Sequence, residues 1–308
     1  MKTKLIIHPD ELNKEWVLHA HETGIDVIGI HSVGNVKAHV NLANDLNLFT
    51  SPNFTQAVDV AYELGMAIEY EVHAVSYLLP RELFETHPEY FRMDENGART
   101  NHCNFCASSE EGLNIIAKNA VKLAKLLYRS TSDYYFWTDD IKGAYCKCEK
   151  CKDLSPSDQN LILMNAIIKE LRKDNPKARI AYLAYYDSVD LPTKIKPEDG
   201  VFLEYAPYER DLFKPASIVD SKEIDKMKRL LKFFGKENST VLEYWVDNSY
   251  FSKYEKPPKK LTPNNQMIKE DIKFYRDIGF ENISSFACFL GDDYKKLFGK
   301  ADFSAFKK

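Results

Sequence analysis

Eight short runs rich in β-branched and aromatic residues recur along this chain, separated by stretches whose apolar residues repeat at helical spacing. Such alternation is what a parallel sheet needs, because each strand must be followed by a crossover that brings the chain back in the same direction. The runs are KLIIH (4–8), DVIGIHS (26–32), MAIEYEVHA (66–74), DYYFWTDD (133–140), ARIAYLAYY (178–186), GVFLEYAPY (200–208), TVLEYWV (240–246) and NISSFACF (282–289). Eight parallel strands close on themselves, so the predicted fold is α/β, a single (β/α)8 TIM barrel occupying residues 1–308 as one domain.

Helical spacing covers residues 11–22, 55–64, 110–128, 158–173, 221–234 and 265–277. The fifth and sixth strands are joined by a Pro-containing loop instead, so one barrel helix is missing or vestigial. Ser and Asp followed by acids, as in SSEEGL at 108–113, mark helix starts, and Gly24, Gly65, Gly235 and Gly279 mark ends. Residues 75–109 and 141–157 are long loops after the third and fourth strands, on the face where barrels of this type build their sites.

Charge narrows the partners. The net charge is -4 and the basic residues are matched by acidic ones throughout, so no basic stripe offers itself to a nucleic acid. No apolar run approaches the ~18 residues of a membrane span, and the first residues lack a secretory apolar core, so a soluble cytoplasmic protein with no membrane partner is expected. Oligomeric state leaves no trace in the sequence.

The fourth run stops in Asp139 and Asp140 directly after Phe136, Trp137 and Thr138. Two adjacent Asp often do no more than begin a turn. Here, however, they end an aromatic strand at the barrel mouth between the two longest loops, where two carboxylates with unequal surroundings can divide acid and base work.

The segment from Asn101 to Asp140 resembles the family 20 β-hexosaminidases, and the ending FWTDDI is similar to that of the family 84 O-GlcNAcases. Over nearly its full length, from KLIIHP through EYEVHA, HPEYF, CNFCASSEE, DDIKGAYCKCEKC, LEYAPYER and LEYWVDNSYF to SSFACFLGDDY, the chain resembles the family known as domain of unknown function 4838. That family includes the family 163 endo-β-N-acetylglucosaminidases. The resemblance implies a glycoside hydrolase for N-acetyl-β-hexosaminides, with a carbohydrate substrate and no cofactor for catalysis. It implies retaining, substrate-assisted chemistry, in which the sugar's 2-acetamido oxygen replaces an enzyme nucleophile. Asp139 would then hold the acetamido N–H and Asp140 would act as acid and base. The Arg that family 20 enzymes carry on the first strand is absent, and His8 stands there, which leaves exo and endo action both open.

Around the mouth, Glu69, Glu71 and His73 alternate and so share one side of the third strand. A buried ion pair is as good a reading of Glu69 as function. Glu71 and His73 are candidates for substrate binding. Tyr205, Trp245 and Asp247, at the ends of the sixth and seventh strands, are candidates for stacking on a sugar and binding its hydroxyls, with packing between strand and helix as the alternative for the aromatics.

Five of the six cysteines fall between residues 103 and 151. Cys146, Cys148 and Cys151 form C-x-C-x2-C, and Cys103 and Cys106 form C-x2-C in the preceding long loop. Cys106, Cys146, Cys148 and Cys151 are the preferred ligands of a structural zinc, with Cys103 and His102 as substitutes and free thiols or a disulfide as the alternative. The H-x-H pair His19 and His21 suggests a metal-dependent hydrolase barrel, but on a helix residues two apart diverge. A barrel that binds carbohydrate without cleaving it is the other rival, and the intact acidic pair weighs against it.

Overall fold

A computed structural model of the protein describes residues 1–307. β1 (Lys2–Ile7) is followed by α1 (Lys14–Glu22), β2 (Val27–Ile30) by α2 (Ala38–Leu48) and α3 (Pro52–Glu63), and β3 (Ala67–His73) by the single turn α4 (Val75–Leu78) and the long α5 (Glu110–Leu126). β4 (Asp133–Trp137) leads to α6 (Pro156–Asp174), and β5 (Arg179–Ala184) reaches β6 (Val201–Tyr205) with only a 3-10 turn between. After α7 (Ser221–Phe234) come β7 (Thr240–Glu243), α8 (Asn248–Phe251), α9 (Asn265–Ile278), β8 (Asn282–Phe286) and α10 (Asp292–Phe298). The strands form a closed parallel barrel in the order β1 to β8. The expected (β/α)8 barrel is present, and among the described residues the β5 to β6 crossover carries no α-helix, as the Pro-containing loop indicated.

By its contacts the chain divides into two compact units. The first holds Met1–His31, Leu48–Tyr70 and the residues from Glu204 on. Its ladders run β1 with β2 and β8, β2 with the first half of β3, and β7 with β8 and the end of β6. Register fixes which side each residue takes: Ile6 lies opposite Gly29 and Phe286, Gly29 opposite Glu69, and Leu242 opposite Ser284. Lys4 and Glu69 meet on this inner side at 2.8 Å, both buried, so Glu69 is half of an ion pair.

The second unit holds Ser32–Asn47 and Glu71–Leu203. The second half of β3 pairs with β4 and β4 with β5. Its helix starts follow the sequence signals. Ser109 accepts the Gly112 N–H at α5, and Ser155 and Asp158 close a reciprocal box at α6, each cap contributing about 1 kcal/mol. α2 was not expected: AHVNLANDLNL has little apolar periodicity, and only Ala38 and Leu42 are buried in it.

Several strands stop earlier than their apolar runs. β4 ends at Trp137 and β7 at Glu243, so Asp139, Asp140, Trp245 and Asp247 all lie just beyond regular structure.

Candidate active site

Within the second unit the long loop after β3 folds back onto the end of β4 and fixes Asp139. Ser76 donates its backbone N–H to Asp139 Oδ1 at 3.2 Å and its hydroxyl to Oδ2, while the Asn104 N–H donates to Oδ2 at 2.5 Å. In return the Asp139 N–H donates to Asn104 Oδ1 at 2.9 Å, and Asn104 Nδ2 reaches the Ala144 carbonyl at 2.8 Å. Asp139 is 6% exposed. Three of the roughly four acceptor positions of a carboxylate are therefore filled by the loop. Arg81 lies close by and donates to the Asn104 carbonyl at 3.1 Å. Burial lowers its guanidinium to about 10, and the Asp139 charge acts in the opposite direction.

Asp140 is different. It is half-buried, and its Oδ1 is shielded from solvent with no hydrogen-bond partner among the described residues. Beside it stands His73. A methyl at Gly34 would come within 2.6 Å of His73 Cδ2, 3.1 Å of His73 Nε2 and 3.4 Å of Asp140 Cβ, so the imidazole and the carboxyl arm flank one glycine. His73 Nδ1 lies 2.6 Å from the Thr138 carbonyl, which only accepts, so Nδ1 carries the proton. The ring also meets Trp137 edge to face. Glu71 is fully buried on the same side of β3. Asp139, Asp140, His73 and Glu71 thus lie in one unit, on β3 and just beyond β4. Ser76, Asn104 and Arg81 were missed. Asn104 carried a signal: an Asn between two cysteines, which here adopts φ 51, a value Asn tolerates better than most side chains.

The cysteines of this unit sort themselves. Cys106, Cys146, Cys148 and Cys151 are buried with their sulfurs all within 4.8 Å of one another. Cys103 is excluded from the group, a buried thiol pushed up to about 11 by burial, and His102 faces Arg92, 3.2 Å from its guanidinium. No cysteine is in a disulfide.

The first unit corrects two expectations. The Tyr205 hydroxyl donates to Glu223 on α7. Trp245 Nε1 donates to Asp271 on α9 at 2.9 Å, and the indole packs near Tyr275 and Phe306. Both side chains face the helices, where a sugar cannot stack on them. Strand parity is the reason. Glu204 lies opposite Thr240, which puts Tyr205 on the outer side, and Trp245 follows Glu243, which is itself held by Arg210 at 2.7 Å and Tyr275 at 2.5 Å. Tyr244 takes the inner side, stacked on Phe286 with ring centres 5.4 Å apart. Phe286 meets His31 at 5.0 Å, and His31 meets His8 at 5.9 Å. These ends of β1, β2, β7 and β8 form the aromatic and imidazole group that sequence reasoning assigned to Tyr205 and Trp245.

Asp247 is buried and caps α8, accepting the Ser249 N–H at 3.1 Å and its hydroxyl at 2.6 Å. Burial raises its carboxyl above the usual range, against the pull of those hydrogen bonds and of His8. His19 and His21 lie on α1, and His19 Nε2 lies 2.7 Å from the Ala301 carbonyl.

Comparison of the fold with solved structures finds barrels of the same kind at low identity. A β-galactosidase from the psychrophilic Marinomonas ef1 matches with TM-score 0.53 and 11% identity over 92% of this chain and 54% of its own. Endo-glycoceramidase II from Rhodococcus sp. matches with TM-score 0.52 and 9% identity over 93% of this chain and 72% of its own. A tri-modular endo-β-1,4-glucanase from Bacillus licheniformis matches with TM-score 0.50 and 11% identity over 93% and 54%. The chain therefore spans about half the length of two of these enzymes, and the likeness is one of fold. No curated protein matches the sequence. A family profile does, over residues 35–290, and the chain belongs to the family described as "Domain of unknown function (DUF4838)".

Proposed function

We propose that the protein is a glycoside hydrolase acting on N-acetyl-β-hexosaminides, related to the family 163 endo-β-N-acetylglucosaminidases and sharing its acidic pair with families 20 and 84. The observation that carries this reading is the contrast within the pair: Asp139 is immobilised by three donors, while Asp140 keeps a shielded carboxyl oxygen with no partner among the described residues. The barrel itself is one on which the galactosidase, the glycoceramidase and the glucanase perform glycoside chemistry, so the reading agrees with the fold.

In the proposed reaction the acetamido oxygen of the substrate attacks the anomeric carbon as the glycosidic C–O bond breaks. The Asp140 proton passes to the departing oxygen. Asp139 accepts the acetamido N–H with the acceptor position left on Oδ1. Water then attacks the oxazolinium, gives its proton to Asp140 and restores both groups with overall retention. His73 and Glu71, of the same unit as the acidic pair, line the approach to it.

The test is incubation with aryl N-acetyl-β-glucosaminides and with chitobiose-core glycans. Asp140→Asn abolishes glycan cleavage and spares aryl substrates with good leaving groups, whereas Asp139→Asn slows both. Binding of these sugars with no turnover by the wild type would leave a carbohydrate-binding barrel in place of an enzyme.

A further inference from the structure

We infer that Cys106, Cys146, Cys148 and Cys151 bind one zinc ion, and that this ion locks the loop holding Asp139. A tetrahedral tetrathiolate site with Zn–S bonds of ~2.3 Å has sulfurs about 3.8 Å apart. Cys106 Sγ lies 3.5 Å from Cys146 Sγ, 3.7 Å from Cys148 Sγ and 3.9 Å from Cys151 Sγ. A disulfide, at ~2.05 Å, fits none of these separations. Four buried sulfurs all within 4.8 Å of one another are also poorly explained as core packing, since thiols placed for burial alone have no reason to converge on a point.

The surroundings suit anionic sulfur. The Met93 N–H points at Cys146 Sγ from 3.3 Å and the Arg99 guanidinium from 3.8 Å, and the Ser108 hydroxyl lies 3.2 Å from Cys106 Sγ and 3.6 Å from Cys148 Sγ. Four thiolates around a divalent cation leave a net negative centre, which these donors and Arg99 offset. With all four positions taken by protein, the site has no room for water or substrate and is structural.

Its position gives it a second effect. Cys106 belongs to the loop after β3, and the other three belong to the loop after β4. Asn104, two residues before Cys106, exchanges hydrogen bonds with Asp139, and its amide reaches Ala144, two residues before Cys146. Cys146 is gripped in turn by Gln159 of α6, whose Oε1 and Nε2 bond its N–H and carbonyl at 3.0 Å each. The ion thus closes a ring of loop, Asn104, Asp139 and α6.

Elemental analysis of the purified chain tests the site without reference to activity. About one zinc per chain is expected, and cobalt exchange should produce the intense thiolate charge-transfer and tetrahedral visible bands of a four-sulfur site. Cys103→Ser should keep the metal, Cys151→Ser should lose it, and Arg99→Ala should weaken affinity by at least about tenfold. Because the serine variant of a ligand can fail to fold, the wild-type metal content and cobalt spectrum are decisive. Protein that is folded with no stoichiometric metal, with iron in place of zinc, or with a disulfide among the four cysteines overturns the assignment.

Discussion

Asn104 and Asp139 exchange two hydrogen bonds, the Asn104 N–H to Asp139 Oδ2 at 2.5 Å and the Asp139 N–H to Asn104 Oδ1 at 2.9 Å. Asn104→Ala removes the second bond and the one to Ala144 and places a Cβ without a polar group at positive φ, so a loss of about 2–3 kcal/mol is expected. Asn104→Gly keeps the backbone geometry and the bond to Oδ2. Denaturant melts should therefore rank wild type, glycine and alanine in that order, and equal stability of the two variants would show that the backbone conformation is irrelevant.

Gly34→Ala asks whether the groups flanking Gly34 need their present spacing. The added methyl lies 2.6 Å from His73 Cδ2, so the imidazole must move. Misplacing a positioned group by about 1 Å costs up to about a hundredfold in rate, while a shift beside a loop costs little stability. Turnover of an aryl glycoside should fall at least about tenfold with an almost unchanged melting temperature. An unchanged rate would remove His73 from the site.

Asp158 provides a pH dependence with a definite sign. Burial opposes its charge, but the N–H groups of Thr193, Lys194 and Ile195 at 2.9, 2.8 and 3.1 Å, with the Ser155 hydroxyl at 2.7 Å, hold the carboxyl below its usual range. A depressed carboxyl stabilises the fold fully above the ordinary Asp range, and that contribution is lost as pH falls through the folded value. Asp158→Asn should cost about 1–3 kcal/mol at neutral pH. Chemical melts repeated down to pH 3 should show the gap between wild type and variant closing.

Arg210 is a different kind of support, bonding Glu243 at 2.7 Å and Asp271 at 3.0 Å with all three side chains nearly sealed from water. Arg210→Met leaves two buried carboxylates without their cation and should cost about 3–5 kcal/mol, read from urea unfolding. A loss under about 1 kcal/mol would place water beside those carboxylates.

The barrel was legible because its signal repeats: eight strand patterns with glycine stops such as Gly65, which adopts φ 77. The meeting of the four sulfurs was legible from two short motifs, C-x2-C ending at Cys106 and C-x-C-x2-C from Cys146 to Cys151, in neighbouring loops. Parity was not. Nothing in LEYWVD says whether Glu243 faces in or out, and only its partners Arg210 and Tyr275, distant in sequence, decide that Trp245 follows it outward. The same applies to Tyr205 and Glu223. Ser76 stayed hidden for a related reason, since a serine in a single helical turn shows its purpose only when the chain brings a carboxylate to it.

The helixless crossover from β5 to β6 has a consequence of its own. A helix keeps its shape through bonds internal to it, whereas the stretch around Thr193 to Ile195 takes its order from Asp158 in the first turn of α6, and the residues after it from Asn165 further along that helix. Local opening needs only these few side-chain attachments to fail, so amide exchange and limited proteolysis should report this flank of its unit before the neighbouring helices loosen.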